Sequence, residues 1–225
     1  ARAILLTESY KATEGEPIMM RRAKAFAHIL DNIPIIIRDG ELVVGSTTID
    51  PRGCQTYPEF SFDWLEAEFE TVEHRKADPF YISEKTKEDL REVHKYWKGK
   101  TTSELATSYM APETLKAMEH NIFTPGNYFY NGVGHVTVKY EKVLEIGYKG
   151  IIAEAQGLLD QCNPGDADYA TRSRFLQAVI ISCEAVIRYA RRYAALAMHM
   201  AVNETDPVRK AELEQIARNC ATVPE

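Results

Sequence analysis

From Asp166 to Asn203 the sequence keeps one helical pattern, rich in Ala, Arg and Leu, through 38 residues. No other feature constrains the fold as strongly. At 1.5 Å per residue such a helix would span about 57 Å. Helices in compact domains are usually far shorter, so this one is expected to pack against more than the 225 residues present. Asn163-Pro164-Gly165 breaks the chain before it, and Asp206-Pro207 restarts a last helix that ends near Cys220. The first residue is Ala1, and the chain ends at Val223-Pro224-Glu225 without a polar tail. Together these features predict a piece of a larger polypeptide.

The rest of the chain supports a mainly helical reading. Arg2 to Ala12 reads as helix. Pro17 suits a helix start, and Ile18, Met19, Ala23, Phe26, Ile29 and Leu30 follow a 3.6-residue period. Helices are also predicted at 63–72, 83–97, 103–109 and 112–120, with Ser83 as an N-cap. Pro34 to Gly45 is the exception: two short β-rich runs joined by Asp39-Gly40 read as a β-hairpin. Thr137 is read as the cap of a helix running from Val138 towards Gln161.

Composition excludes several classes. Lys and Arg number 27 against 33 Asp and Glu, so the mildly acidic chain lacks the basic field of a nucleic-acid binder. No apolar run approaches the roughly 20 residues of a membrane span. Cys54, Cys162, Cys183 and Cys220 share no C-x-x-C spacing, which argues against a zinc ribbon and for reduced, mostly buried thiols. No phosphate-binding glycine loop, dinucleotide fingerprint or G-x-S-x-G elbow is present. Glu66, Glu68 and Glu70 read as a solvated face, as do Arg188, Arg191 and Arg192 on the long helix.

Chemistry is concentrated in one segment. Phe123-Thr-Pro-Gly-Asn127-Tyr-Phe-Tyr-Asn131-Gly132-Val-Gly134-His135-Val136 has no helical period. Its glycines let backbone approach a neighbour closely, its aromatics give rigid walls, and Asn127, Asn131 and His135 supply polar heads. His135 would lie near the positive end of the helix expected after Thr137, whose field disfavours an imidazolium. Spacing alone leaves two readings of His135: a ring satisfied by a backbone carbonyl, or a neutral imidazole meeting a substrate hydroxyl. His28, His74, His94, His120 and His199 read as surface or interface residues, and a metal site at His94, His120 and His135 has no supporting spacing.

Several stretches together resemble a known family. These are Arg38-Asp-Gly-Glu-Leu-Val-Val-Gly45, Tyr57-Pro-Glu-Phe-Ser61, the run from Tyr96 to Met110, Gly126 to Val136, Val179 to Ala185 and Arg209 to Ala217. In this order they are similar to the N-terminal part of glycyl radical enzymes, the pyruvate formate-lyase superfamily. The nearest likeness is to cobalamin-independent glycerol and propane-1,2-diol dehydratases.

The resemblance implies that residues 1–225 are the N-terminal helical shell of a ten-stranded α/β barrel. The barrel core and glycyl radical domain would lie outside them. It implies a homodimer in the anaerobic cytoplasm that binds neither nucleic acid nor membrane. A radical S-adenosylmethionine, iron–sulfur activating enzyme would install the glycyl radical, and the chain itself would bind no cofactor and no metal. A thiyl radical would remove hydrogen from a small diol, which then loses water to give an aldehyde. The family's pocket histidine and a pocket-lining polar position map onto His135 and Asn127, which would bind the substrate. His135 would also assist proton transfer to the departing hydroxyl. None of the four cysteines matches the family's catalytic motif, so this segment alone would be inactive. The alternatives are another glycyl radical enzyme, acting on choline, isethionate, hydroxyproline or an acyl substrate, and a non-catalytic helical module that binds through its Arg-rich helix.

Overall fold

The computed structural model describes residues 1–126, 129, 131–132 and 134–225. Every regular element among them is helical: α1 (Arg2–Ala12), α2 (Ile18–Asn32), α3 (Asp63–Glu68), α4 (Glu84–Trp97), α5 (Thr102–Ser108), α6 (Pro112–Glu119), α7 (Tyr140–Asp160), α8 (Tyr169–Asn203) and α9 (Pro207–Thr222). The chain divides into two compact units, one of Ala1, 8–55 and 138–225, the other of 2–7 and 56–137.

In the first unit the long pattern forms a 35-residue helix, α8, with α2, α7 and α9 against it. Small side chains let α2 approach α8. Ala23, Ala25 and Ala27 are buried, as are Ala178 and Ala185 on α8, whereas Ile18 and Phe26 are exposed. The buried residues of α2 are therefore these three alanines and Ile29. Tyr193, Ala197 and Ala201 of α8 form a core with Leu213, Ile216 and Ala217 of α9 and with Ile37. Asp206 caps α9 by accepting from the Val208 N–H at 2.9 Å, with Pro207 in the first turn where no N–H is needed.

Of the arginines predicted to be solvated, Arg188 and Arg191 are exposed, whereas Arg192 is part-buried and closes a helix end. Arg192 donates to the carbonyls of Leu30 and Ile33 at 2.5 and 2.7 Å, where α2 runs out of partners for its last carbonyls. Arg188 forms a bidentate pair with Asp31, both bonds 2.9 Å, and Arg191 pairs with Glu225.

The expected β-hairpin is absent among the described residues. Its turn does form: the Glu41 N–H donates to the Arg38 carbonyl at 3.1 Å, and Gly40 has a φ of +70°. Asp39 keeps a negative φ, so this is the type II pattern and not the doubly left-handed turn that aligns two strands. Flanking groups then take other partners. The Arg38 N–H donates to the Glu41 carboxylate at 2.8 Å, and Arg209 of α9 donates to the Arg38 and Glu41 carbonyls at 3.0 and 3.1 Å. Groups that would build a ladder are thus committed to side chains.

The helix expected from Val138 starts at Tyr140, with Lys139 at its N-cap and no side-chain capping bond. Thr137 therefore caps nothing. α7 also breaks at Gly147 (φ 60°, ψ −175°), and beyond the break the N–H groups of Tyr148 and Lys149 donate to the carbonyls of Pro224 and Glu225.

The second unit uses short helices. Ser83 caps α4 as expected, accepting from the Thr86 N–H at 3.2 Å. Leu90, Val93 and Trp97 are the buried face of α4, and the Trp97 indole N–H donates to the Thr7 hydroxyl at 2.8 Å. The glutamates predicted to be solvated are paired: Glu66 with His94 and Arg91, Glu68 with Arg75, and Glu70 with the buried Lys87. Both ring nitrogens of His94 face carboxylates, Asp63 at 3.1 Å and Glu66 at 2.9 Å, and the ring stacks on Phe62 at 4.3 Å.

Candidate functional site

The glycine- and aromatic-rich segment lies in the second unit, and its support begins at the turn 57–60. Pro58 is fully buried, and the Phe60 N–H closes the turn on the Tyr57 carbonyl at 3.1 Å. Arg2 holds the turn from one side. Its guanidinium donates to both Glu59 carboxylate oxygens, at 2.5 and 3.2 Å, and to the Thr56 carbonyl at 3.1 Å. It also lies 3.9 Å from the Tyr57 ring centroid. A bidentate pair combined with a cation–π contact fixes direction as well as distance.

The start of α5 holds the other side. A helix opens with N–H groups that have no partner in its own ladder. Here those of Thr102 and Ser103 donate to the carbonyls of Glu59 and Phe60 at 3.1 and 3.0 Å. Thr101 and Glu104 form a reciprocal capping box. Burial opposes charge on the Glu104 carboxyl, but the Thr101 hydroxyl and the N–H groups of Gly99 and Thr101 outweigh it and hold its pKa below the ordinary value.

Onto this platform comes the loop. Tyr57 and Phe60 stack with centroids 6.2 Å apart. Gly132 faces the Phe60 ring so closely that a Cβ there would lie 2.5 Å from Cζ and 3.1 Å from both Cε atoms. Three of the stretches that carry the family resemblance, 57–61, 96–110 and 126–136, therefore meet in one place. The Phe129 N–H donates to the Gly126 carbonyl at 2.9 Å, and the Val136 N–H to that of Gly134 at 3.0 Å.

His135 lies in the non-helical stretch between Gly134 and α7 and is exposed in this segment of chain. It stands five positions before the first residue of α7, out of reach of a helix-end field confined to the first turn. The electrostatic argument built on Thr137 is therefore lost, and position in the loop is what remains. Asn127 lies outside the described residues. Asn131 is exposed beside Gly132. Among the described residues no group of three His, Cys, Asp or Glu side chains could hold a metal ion. The loop's glycines signalled a close backbone approach, but the neighbour, Phe60, is not identified by anything in the sequence.

A concavity of about 440 Å³ also lies in the first unit, where Met19, Ala23, Phe175 and Val179 line a shallow apolar groove beside Cys183. Burial raises the Cys183 thiol pKa, which keeps it protonated and unreactive. No helix among the described residues is long and apolar enough to cross a membrane.

Comparison with known proteins agrees with this architecture. A family model described as pyruvate formate lyase-like matches residues 1–225. A structure described as 1,2-propanediol dehydration in Roseburia inulinivorans is 67% identical with a TM-score of 0.95, covering 100% of this chain and 27% of its own. The glycerol-bound, B12-independent glycerol dehydratase of Clostridium butyricum is 55% identical with a TM-score of 0.94, over 99% of this chain and 28% of its own. The (2S)-3-sulfopropanediol dehydratase of Klebsiella oxytoca is 35% identical over 97% of this chain and 27% of its own length. The chain thus spans about a quarter of the length of these relatives.

Proposed function

The chain belongs to the pyruvate formate lyase-like family, and on that basis we propose that it forms part of a glycyl radical dehydratase that converts a small vicinal diol, glycerol or propane-1,2-diol, to an aldehyde. The observation that supports this reading is the higher identity to the propanediol- and glycerol-associated structures, 67% and 55%, than to an isethionate sulfite-lyase and a sulfopropanediol dehydratase, 39% and 35%, each over nearly the whole chain.

In this reading the protein radical, installed by a radical S-adenosylmethionine activating enzyme, supplies hydrogen abstraction from the carbon bearing one hydroxyl and, once water has left, return of a hydrogen atom to the product radical. The residues present here handle oxygen and protons. Asn127 and His135 hold the two-oxygen substrate. His135 donates a hydrogen bond to the departing oxygen and shares its proton as the carbon–oxygen bond breaks, so that water leaves and not hydroxide. The remaining hydroxyl loses its proton as it becomes the aldehyde carbonyl, which balances the one delivered. The working protein is a cytoplasmic homodimer of anaerobic cells.

The test is the full-length protein, activated anaerobically with its activating enzyme and offered glycerol, propane-1,2-diol, sulfopropanediol, isethionate, choline and hydroxyproline. Radical content is read by electron paramagnetic resonance and product by aldehyde assay. Aldehyde from glycerol or propane-1,2-diol, at a kcat/KM at least tenfold above the other compounds, supports the reading. Preference for any other compound, or radical without turnover, overturns it.

A further inference from the structure

The ring of Phe60 occupies the space that a Cβ at position 132 would need. Phe60 presents the tip of its ring, Cζ, to the glycine, with the two Cε atoms equally distant from where a Cβ would stand. The ring is itself braced. Its backbone carbonyl accepts from the Ser103 N–H and the Thr102 hydroxyl, at 3.0 and 3.1 Å, and its face stacks on Tyr57, which carries the Arg2 guanidinium. Arg2 in turn is bound to Glu59, in the same turn as Phe60. A ring tip held from behind by backbone, aromatic and ionic contacts cannot yield easily to added volume.

Three residues beyond Gly132 comes His135, and five before it Asn127. A displacement of Gly132 is passed along the backbone towards His135. We propose that Phe60 is the stop against which Gly132 seats, and that this pair sets the depth at which the loop presents its polar heads to the diol. Phe60 and Gly132 are thus positioning residues for the reaction; neither touches substrate. The inference rests on the reading of the loop as part of the diol site.

The geometry dictates the variants. Gly132→Ala drives a methyl into Cζ. Phe60→Tyr adds an oxygen at Cζ itself, a change otherwise mild for a partly exposed ring. Phe60→Leu removes the ring tip and makes room for the methyl of Gly132→Ala. In the activated full-length enzyme, Gly132→Ala and Phe60→Tyr each lower kcat/KM for the preferred diol by about 10- to 100-fold, the scale of an ångström-level misplacement, at unchanged radical content. Hydrogen exchange rises in the peptide 126–136 and stays unchanged in 169–203. The double variant Phe60→Leu/Gly132→Ala recovers kcat/KM to within about threefold of the parent and restores exchange protection, as expected for paired volume changes. If Gly132→Ala does not accumulate folded, Phe60→Tyr carries the test. Single variants within twofold of the parent, a double variant no better than Gly132→Ala, or exchange raised equally in 169–203 would refute the proposal. A parent that dehydrates neither diol defeats the functional reading instead. The exchange results still decide the stop, a local rise upholding it and no rise refuting it.

Discussion

The two units of this chain are built by different means. The first is a layer of long helices whose joints are side chain to backbone: Arg192 on the end of α2, Arg209 on the 38–41 turn, Asp206 at the start of α9. The second uses short helices and turns braced on one another's backbone ends, and α6 has no buried residue at all. The comparison teaches a division of labour. A stable layer needs only volume and a few closed helix ends. The loop at Gly132 rests instead on a platform fixed by Arg2, the 57–60 turn and the start of α5.

Predictions that sharpen or break this contrast run from large to small. The largest concerns the loop. In the activated full-length enzyme, His135→Ala lowers turnover by about 10²- to 10⁴-fold, the range for a lost proton-transfer group, while radical content stays unchanged. Paramagnetic resonance alongside aldehyde formation checks both, and parent-like turnover would remove His135 from the site. Next comes the helical layer. Leu213→Ala, at 1% exposure in the α8–α9 core, costs about 2–5 kcal/mol. Native-state hydrogen exchange in 207–222 should report it, with 126–136 unaffected; equal loosening of both would dissolve the distinction between the units.

Smaller effects belong to the platform. Glu104 has a depressed pKa in the folded protein, so its stabilising contribution is present above the ordinary glutamate value of about 4.3 and is lost as pH falls through the folded value. Glu104→Gln therefore destabilises at neutral pH, and parent and variant converge in acid. Thermal melts at a series of pH values test this, and a gap that persists or widens in acid would contradict it. Thr101→Ala removes one half of the capping box and costs about 1 kcal/mol. Faster exchange confined to 57–62 and 99–110 is the expected sign.

Much of the helical layer was legible in the sequence because its signals are local. The pattern from Asp166 to Asn203 differs from α8 only in its first three residues, and Ser83 and Asp206-Pro207 mark real helix starts. The hairpin misled for a physical reason. Asp39-Gly40 does turn the chain, but Arg209, 168 residues from Glu41, takes the Glu41 carbonyl, and the Arg38 N–H that a ladder would have given it goes to the Glu41 carboxylate. On α2 the expected period holds at Ala23 and Ile29, which are buried, and fails at Ile18 and Phe26, which are exposed, while Ala25 and Ala27 are buried outside it. At the site, the loop was legible from its glycines and aromatics, whereas its seat on Phe60 was not. Nothing within the loop's own sequence specifies which distant ring it meets.

The central claim is that the loop following Gly126 delivers His135 and Asn127 to a diol. Its most direct test is a structure of the full-length enzyme with glycerol or propane-1,2-diol bound. The account predicts a ring nitrogen of His135 at hydrogen-bond distance from one diol oxygen, about 2.6–3.2 Å, with the Asn127 amide on the other. A diol held by other residues, with the His135 ring turned away and no water between them, would contradict it.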